Sequence, residues 1–147
     1  MNVLIIHGPN LNMLGYRNKN IYGSMTYEDL KLYISEYASE KGITVSFFQS
    51  NSEGELIDCI QDAYINKTDG MIINAGAYSH YSYAIRDALE ICDFPKVEVH
   101  LSNVMEREDF RKNLVLSEVC DRTIYGLGPK GYLSALDFLL DKTNNLL

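Results

Sequence analysis

Two short stretches of the chain carry side chains that could act together as a base and an acid. Arg17 and Tyr22 lie in one polar stretch, and Glu98 and His100 lie two residues apart in an apolar run. A free tyrosine is almost entirely protonated near neutral pH, but a neighbouring cation favours the phenolate, which is a usable base. Residues two apart on a strand share a face, so Glu98 would fix the tautomer of His100 and favour its protonated form, as a general acid requires. This set best serves the removal of a proton from one carbon and of water from the next.

The three histidines, His7, His80 and His100, all fall at the carboxyl ends of predicted strands. In a parallel sheet the crevice beside those ends is where ligands bind, so we expect the histidines to converge on one rim. Asn74 and His80 flank Gly76 and could recognise hydroxyl groups without carrying charge. An ordinary turn is the alternative for this stretch.

Other patterns narrow the chemistry. Arg107 and Arg111 lie four residues apart and would share a helix face, where they could meet an anion or a hydroxyl, although the acidic residues between them could satisfy both. No lysine follows a strand, so an imine mechanism is not predicted. The chain lacks a Gly-Lys-Ser/Thr phosphate loop, a cysteine–histidine constellation and a tight set of metal-ligand residues. We therefore expect neither a metal nor a cofactor.

Length and charge set the class of protein. The 147 residues suffice for one domain, which we predict to span 1–147, and a net charge of −7 argues against nucleic acid as a partner. The first apolar run is too short for a signal or a membrane span, so no membrane partner is expected. Three widely spaced cysteines fit free thiols in a reducing compartment, which predicts the cytoplasm.

Apolar runs alternate with helical periods along the chain, which predicts an α/β fold with a parallel sheet and right-handed crossovers. Each run is nearly continuous, as expected for strands covered on both faces. We predict a flavodoxin-like three-layer fold with strand order 2-1-3-4-5 and helices on both faces. The predicted strands are Val3–Ile6, Ile43–Phe48, Gly70–Ile73, Val97–Val99 and Thr123–Leu127.

Helices are predicted from apolar spacing and from their start signals. One begins after Thr26 and runs from Tyr27 to Lys41, and another follows a capping box of Ser52 and Glu55. The remaining two are predicted near Tyr81–Cys92 and after Pro129. No helix is predicted between strand 1 and Tyr27, and residues of about 11–23 are either a lid with glycine hinges or a mobile surface loop.

Ordered blocks of residues along nearly the whole chain resemble the type II 3-dehydroquinate dehydratases, which are flavodoxin-like enzymes. The blocks include Gly8-Pro9-Asn10-Leu11-Asn12, Gln49-Ser50-Asn51, Asn74-Ala75-Gly76-Ala77-Tyr78 and Glu98-Val99-His100-Leu101-Ser102-Asn103. The resemblance implies dehydration of 3-dehydroquinate to 3-dehydroshikimate in the shikimate pathway of aromatic amino-acid biosynthesis, or in quinate catabolism. It also implies a homo-oligomer, a dodecamer of trimers.

The resemblance assigns catalytic roles to five residues. Tyr22 would remove a proton from C2 while Arg17 favours its phenolate, and Asn10 would hold a water against the enolate oxygen. His100 would protonate the leaving C1 hydroxyl, with Glu98 behind it. The substrate-binding residues implied are Asn74, His80 and Arg111 for ring hydroxyls, Leu101 and Ser102 for the carboxylate, and Asp87 for a site in the neighbouring subunit.

The chain departs from the usual family pattern at His7, where Asn is common, and at Asn18 and Lys19, where Glu-Pro is frequent. None of these departures removes a proposed catalytic group. Two other functions stay open at this point. One is a flavodoxin-like binding module for a small ligand without catalysis, and the other is a degenerate family member that serves only as an assembly partner.

Overall fold

Five parallel strands form one sheet in the computed structural model, which describes residues 1–145. The strand order is β2-β1-β3-β4-β5, so the predicted order is confirmed. The last two residues of the predicted 1–147 domain lie outside the described residues. The strands are β1 (Asn2–His7), β2 (Thr44–Gln49), β3 (Gly70–Asn74), β4 (Lys96–His100) and β5 (Arg122–Tyr125).

Helices cover both faces of the sheet, as predicted. On one face α2 and α5 bury a core with Val3 and Ile5 of β1, and on the other α3 and α4 bury a core with Ile6. In the described part of the chain, no helix is long and apolar enough to cross a membrane. The helices are α1 (Lys19–Tyr22), α2 (Tyr27–Glu40), α3 (Glu53–Ile65), α4 (Tyr83–Ile91) and α5 (Lys130–Asn144).

Side-chain caps fix where the long helices begin. At α2 the Thr26 hydroxyl accepts from the Asp29 N–H and the Asp29 carboxylate accepts from the Thr26 N–H, which is a complete capping box. Ser52 caps α3 through the Glu55 N–H, but the predicted reciprocal bond is absent, because the Glu55 carboxylate instead accepts from the Ser50 hydroxyl. The capping box predicted for α3 is therefore half formed.

A helical turn between β1 and α2 corrects one prediction. No helix was expected before Tyr27, yet Lys19–Tyr22 forms the single turn α1, and Tyr22 is its last residue. The Asn18 side chain caps this turn by accepting a hydrogen bond from the Asn20 N–H at 3.0 Å. The short span of one turn carries too weak a periodic signal to be distinguished from a loop in the sequence.

Two glycines let the loop after β1 pack against the loop after β3. A Cβ at Gly8 would lie 2.3 Å from the carbonyl oxygen of Ala75, so only glycine fits there. Gly76 has a φ of 60° and faces the carbonyl oxygen of Pro9. The loop with Asn10, Arg17 and Tyr22 and the loop with His80 are therefore in direct contact.

Candidate active site

A cleft of about 140 Å³ opens beside the carboxyl ends of β1, β3 and β4. This volume is several times the roughly 30 Å³ that one water occupies in the liquid, so it suits a small molecule. Nine predicted site residues line the cleft: Asn10, Arg17, Tyr22, Asn74, His80, His100, Leu101, Ser102 and Arg111. Arg107, which the sequence left unassigned, lines it as well.

Glu98 and His100 form the pair that their spacing on a strand predicts. Both side chains are buried, and the distance between Glu98 Oε2 and His100 Nε2 is 2.6 Å. The carboxylate accepts, so Nε2 carries a proton. Nδ1 of His100 makes no bond to Glu98. Because His100 lines the cleft, Nδ1 is the nitrogen left for a ligand.

Two hydroxyl groups complete the surroundings of Glu98, and the sequence analysis missed both. The Ser117 hydroxyl donates to Glu98 Oε1 at 2.8 Å, and that of Thr123 donates at 3.3 Å. These donors leave Oε2 for His100 and hold the carboxylate in one orientation. Thr123 is the register neighbour of Glu98 on β5, which is a signal that could have been used once the strands were paired.

His80 lies beside His100, with 6.2 Å between the ring centroids. The carbonyl oxygen of Asn113 lies 3.0 Å from His80 Nδ1, so Nδ1 carries the proton and Nε2 is an acceptor. Burial lowers the pKa of His80 below its ordinary value. A neutral histidine at this position can bind a hydroxyl group.

His7 corrects the expectation that all three histidines meet on one rim. Its ring is fully buried under α2 and α5, with Tyr27 Oη 3.1 Å from Nδ1 and Tyr132 Oη 2.9 Å from Nε2. The cause is the alternation of side chains along β1, which places His7 on the same face as Val3 and Ile5. His7 therefore does not line the cleft, although its strand ends there.

Asn74 links that buried histidine to the cleft. Its Nδ2 donates to Tyr132 Oη at 3.1 Å, and its Oδ1 accepts from the Gly76 N–H at 3.2 Å. Tyr132 is a fully buried residue of α5. Its hydroxyl lies between His7 and Asn74.

Tyr22 contacts two arginines in different ways. The Arg17 guanidinium carbon lies 4.0 Å from the centre of the Tyr22 ring, so Arg17 stacks on the ring face. Arg107 Nη1 donates to the Tyr22 hydroxyl oxygen at 2.7 Å and to Ser102 Oγ at 3.3 Å. The cation bonded to the oxygen of Tyr22 is therefore Arg107, and Arg17, predicted to favour the phenolate, lies against the ring instead.

The other predicted residues occupy the rim and the floor. Asn10 has a left-handed φ of 70°, a conformation that asparagine tolerates better than most residues, and its N–H donates to Asn51. Arg111 pairs with Glu108 at 2.5 Å, which lowers the pKa of that carboxyl. Arg107 and Arg111 do not share one helix, since a break separates the short turns around them, yet both reach the cleft.

Leu101 and Ser102 form part of the floor just beyond β4. Their carbonyl oxygens accept hydrogen bonds from the N–H groups of Gly128 and Gly126, each at 3.0 Å. These bonds tie the loop after β4 to the loop after β5. The main chain at the floor of the cleft is therefore fixed by its neighbours.

The charge in the cleft opposes that of the whole chain. Arg17, Arg107 and Arg111 all line it, while the net charge of the protein is −7. A site with three guanidinium groups favours a small anion. Asp87 lies on α4 and is not among the lining residues. Residues 1–145 contain no group of three or more side chains arranged to hold a metal ion.

A sequence model of the family described as dehydroquinase class II matches residues 1–140. The chain belongs to this family. A relative named 3-dehydroquinate dehydratase from Thermotoga maritima is 52% identical over 146 residues, which is 99% of each chain. The family predicted from the sequence is thus confirmed.

Solved structures of type II dehydroquinases share the fold. That from Butyrivibrio crossotus is 56% identical with a TM-score of 0.94, covering 95% of this chain and 97% of the other. That from Propionibacterium acnes is 43% identical with a TM-score of 0.91, covering 94% of each chain. The dehydroquinase fold therefore extends over nearly all of the chain.

Proposed function

We propose that this enzyme converts 3-dehydroquinate to 3-dehydroshikimate by acid–base catalysis, with Tyr22 as the base and His100 as the acid. One observation carries the proposal. A single cleft contains a tyrosine whose oxygen accepts from a guanidinium, Arg107, and a histidine held by a buried carboxylate, Glu98. The name of the Thermotoga maritima relative supports the same reaction.

The proposed reaction has two steps. The Tyr22 phenolate takes a proton from C2, and the electron pair moves to the C3 carbonyl oxygen as an enolate. The enolate then collapses, the C1=C2 double bond forms and the C1–O bond breaks. His100, protonated on both nitrogens in this scheme, gives its Nδ1 proton to the leaving hydroxide, which departs as water. Asn10 holds a water against the enolate oxygen, where the charge develops. The reaction changes no oxidation state and needs no redox cofactor.

The remaining residues bind the substrate in this scheme. Leu101 and Ser102 hold the carboxylate, and Asn74, His80 and Arg111 bind ring hydroxyls. The three guanidinium groups of the cleft support the choice of an anionic substrate. Arg17, stacked on the Tyr22 ring, stabilises the developing charge and places the base.

Residues 11–23 act as a lid in this proposal. Gly15 and Gly23 have φ values of 93° and 75°, and a Cβ at Gly23 would meet nothing within 4 Å. Tyr22 would then reach its working position when this segment closes over the substrate. We take the chain as one domain over 1–147 that works in the cytoplasm, in aromatic amino-acid biosynthesis, as a dodecamer of trimers in which Asp87 reaches a neighbouring site.

The test is to follow the enone absorbance of the product with purified protein and 3-dehydroquinate. We expect a rise that is proportional to protein concentration. A folded protein without signal above buffer would overturn the proposal. In that case a thermal-shift screen would test the alternative of a binding module. Stabilisation of the protein by a flavin or a nucleotide, but not by shikimate-like acids, would indicate such a module.

A further inference from the structure

A buried chain of hydrogen bonds runs from α2 through β1 and α5 to the cleft. It joins Tyr27, His7, Tyr132 and Asn74. We propose that His7 is a positioning residue that acts through Tyr132, together with the Gly76 N–H, to hold the Asn74 amide in the orientation that decides which hydrogen bonds it offers to a ligand. The inference rests on the proposed function in one respect, because Asn74 must contact the substrate for the effect to be seen in catalysis.

The orientation of the Asn74 amide follows from the main chain. The Gly76 N–H can only donate, so the atom 3.2 Å from it is Oδ1. Nδ2 therefore faces Tyr132 and donates to its hydroxyl oxygen. A reversed amide would set two donors against each other.

The protons of the other members follow from that first assignment. The Tyr132 oxygen accepts from Asn74, and within residues 1–145 the acceptor for its single proton is Nε2 of His7 at 2.9 Å. Tyr132 is fully buried, so an unpaired hydroxyl proton would be costly. Nδ1 of His7 then carries the ring proton and donates to Tyr27 Oη.

This pattern requires a neutral imidazole, since a protonated ring has two donors and no acceptor. Burial, aided by the charge of Lys31, lowers the pKa of His7 to about 3. The ring is also stacked on Phe47 at an interplanar angle of 14°. Packing and hydrogen bonding thus hold His7 in one tautomer and one orientation.

The consequence in the cleft is a fixed pair of groups on Asn74. One Nδ2 proton and one Oδ1 lone pair are used inside the protein, so one N–H donor and one lone pair remain. A hydroxyl group can accept from the first and donate to the second, whereas a carbonyl or an ether oxygen can only accept. By keeping the Tyr132 oxygen an acceptor for Nδ2, His7 helps to hold this arrangement, which favours ligands with a hydroxyl group next to Asn74.

The tautomer can be tested on the wild-type protein without any catalytic assay. In ¹⁵N-histidine-labelled protein at neutral pH, we expect His7 to be neutral with its proton on Nδ1. A proton on Nε2, or a charged ring, would overturn the inference. Because this measurement requires no activity, it stands even if the proposed reaction is not observed.

Two substitutions then test the effect on Asn74. His7→Phe keeps a ring of similar volume without nitrogen atoms, whereas in His7→Gln the side-chain oxygen can replace Nε2 as acceptor. We expect the Phe variant to raise KM roughly three- to tenfold with a smaller change in kcat, and the Gln variant to restore most of the loss. Tyr37→Phe removes a remote hydroxyl contact between α2 and α5, to Asp137, and is the control.

Two results would contradict the effect on Asn74. One is a folded Phe variant with wild-type KM, and the other is equal impairment of the Phe and Gln variants, which would indicate a role in packing alone. If the Phe variant does not fold, the Gln variant and the tautomer measurement decide. Calorimetric binding of a substrate analogue lacking one ring hydroxyl adds a further readout, since the preference of the wild type for the hydroxylated compound should shrink in the Phe variant.

Discussion

The two halves of the cleft are held in place by different means. The strand-end half consists of Asn74, His80 and His100, which are buried. Asn74 and His100 end β3 and β4, His80 follows β3, and each bonds to a group held by other elements. The loop half consists of Arg17, Tyr22 and Arg107, which are half-buried and lie in turns of at most a few residues. The proposed acid is therefore set by the fold itself, whereas the proposed base depends on where one loop lies.

The largest effect is expected from removing the base. Tyr22→Phe should lower kcat by roughly 10²–10⁴-fold without unfolding the protein, because it removes an acid–base group from a half-buried turn. The measurement is the initial rate of enone formation. Tyr16→Phe is the matched control on the same segment, since Tyr16 is 80% exposed. Near-wild-type turnover of the Tyr22 variant would show that the loop half does not supply the base.

A smaller effect is expected from the cation at the Tyr22 oxygen. Arg107→Lys keeps the charge but loses the guanidinium nitrogen that donates at 2.7 Å, so kcat should fall about 10- to 100-fold. Arg122→Lys is the control, because Arg122 is the first residue of β5 and the cleft lies at the opposite, carboxyl end of the sheet. If the two lysine variants were equally active, the charge alone would hold the base and the hydrogen bond would be dispensable.

The buried histidine behind the strand-end half, His7, should make the stability of the protein depend on pH. His7 is neutral in the folded protein, with a pKa of about 3, and is protonated below its ordinary pKa of 6.5 once unfolded. Stability is thus fully present above pH 6.5 and is lost as the pH falls toward 3, by roughly 2 kcal/mol at pH 5.

Urea unfolding at pH 7 and pH 5 measures this loss. The groups that face His7 are Tyr27 and Tyr132, with the charge of Lys31 nearby, and neither tyrosine titrates in this range because burial raises the pKa of both. His7→Gln should therefore reduce the difference in the free energy of unfolding between pH 7 and pH 5. An identical loss in wild type and variant would show that another group is responsible.

The smallest effect is expected from removing a hydroxyl group that holds Glu98, the partner of the proposed acid His100. Ser117→Ala removes the 2.8 Å donor to Glu98 and leaves Thr123 in place, so kcat should fall about three- to tenfold. Ser39→Ala, on the exposed face of α2, is the control. A loss as large as that of the Tyr22 variant would mean that the strand-end half is less rigid than its bonds suggest.

The strand-end half could largely be predicted from the sequence, because strand periodicity is simple. Glu98 and His100 were paired from a spacing of two, and the strand order placed β1, β3 and β4 together. His7 shows the limit of this reasoning. Its position at the end of β1 could be predicted, but the burial of its ring depends on which helices cover the face that it shares with Val3 and Ile5.

The contacts of the loop half could not be predicted in the same way. Arg107 and Tyr22 are 85 residues apart and lie in turns without a repeating pattern, so nothing in the sequence links the guanidinium to the hydroxyl. The family resemblance pointed to Arg17 and Tyr22. Only the structure shows that Arg17 stacks on the Tyr22 ring while Arg107 bonds to its oxygen. Thr123 was within reach of prediction only after β5 had been aligned with β4.

The contact between Gly8 and Ala75 has a consequence for engineering. It fixes the point where the loop after β1 leaves the sheet, and the Thr26 capping box fixes the point where α2 begins. Between these anchors, Leu11 and Leu14 are buried in the core under α2, whereas residues 15–25 include no fully buried side chain. Segments of other lengths, taken from related enzymes, could therefore replace residues 15–25 while both leucines and the strands stay unaltered.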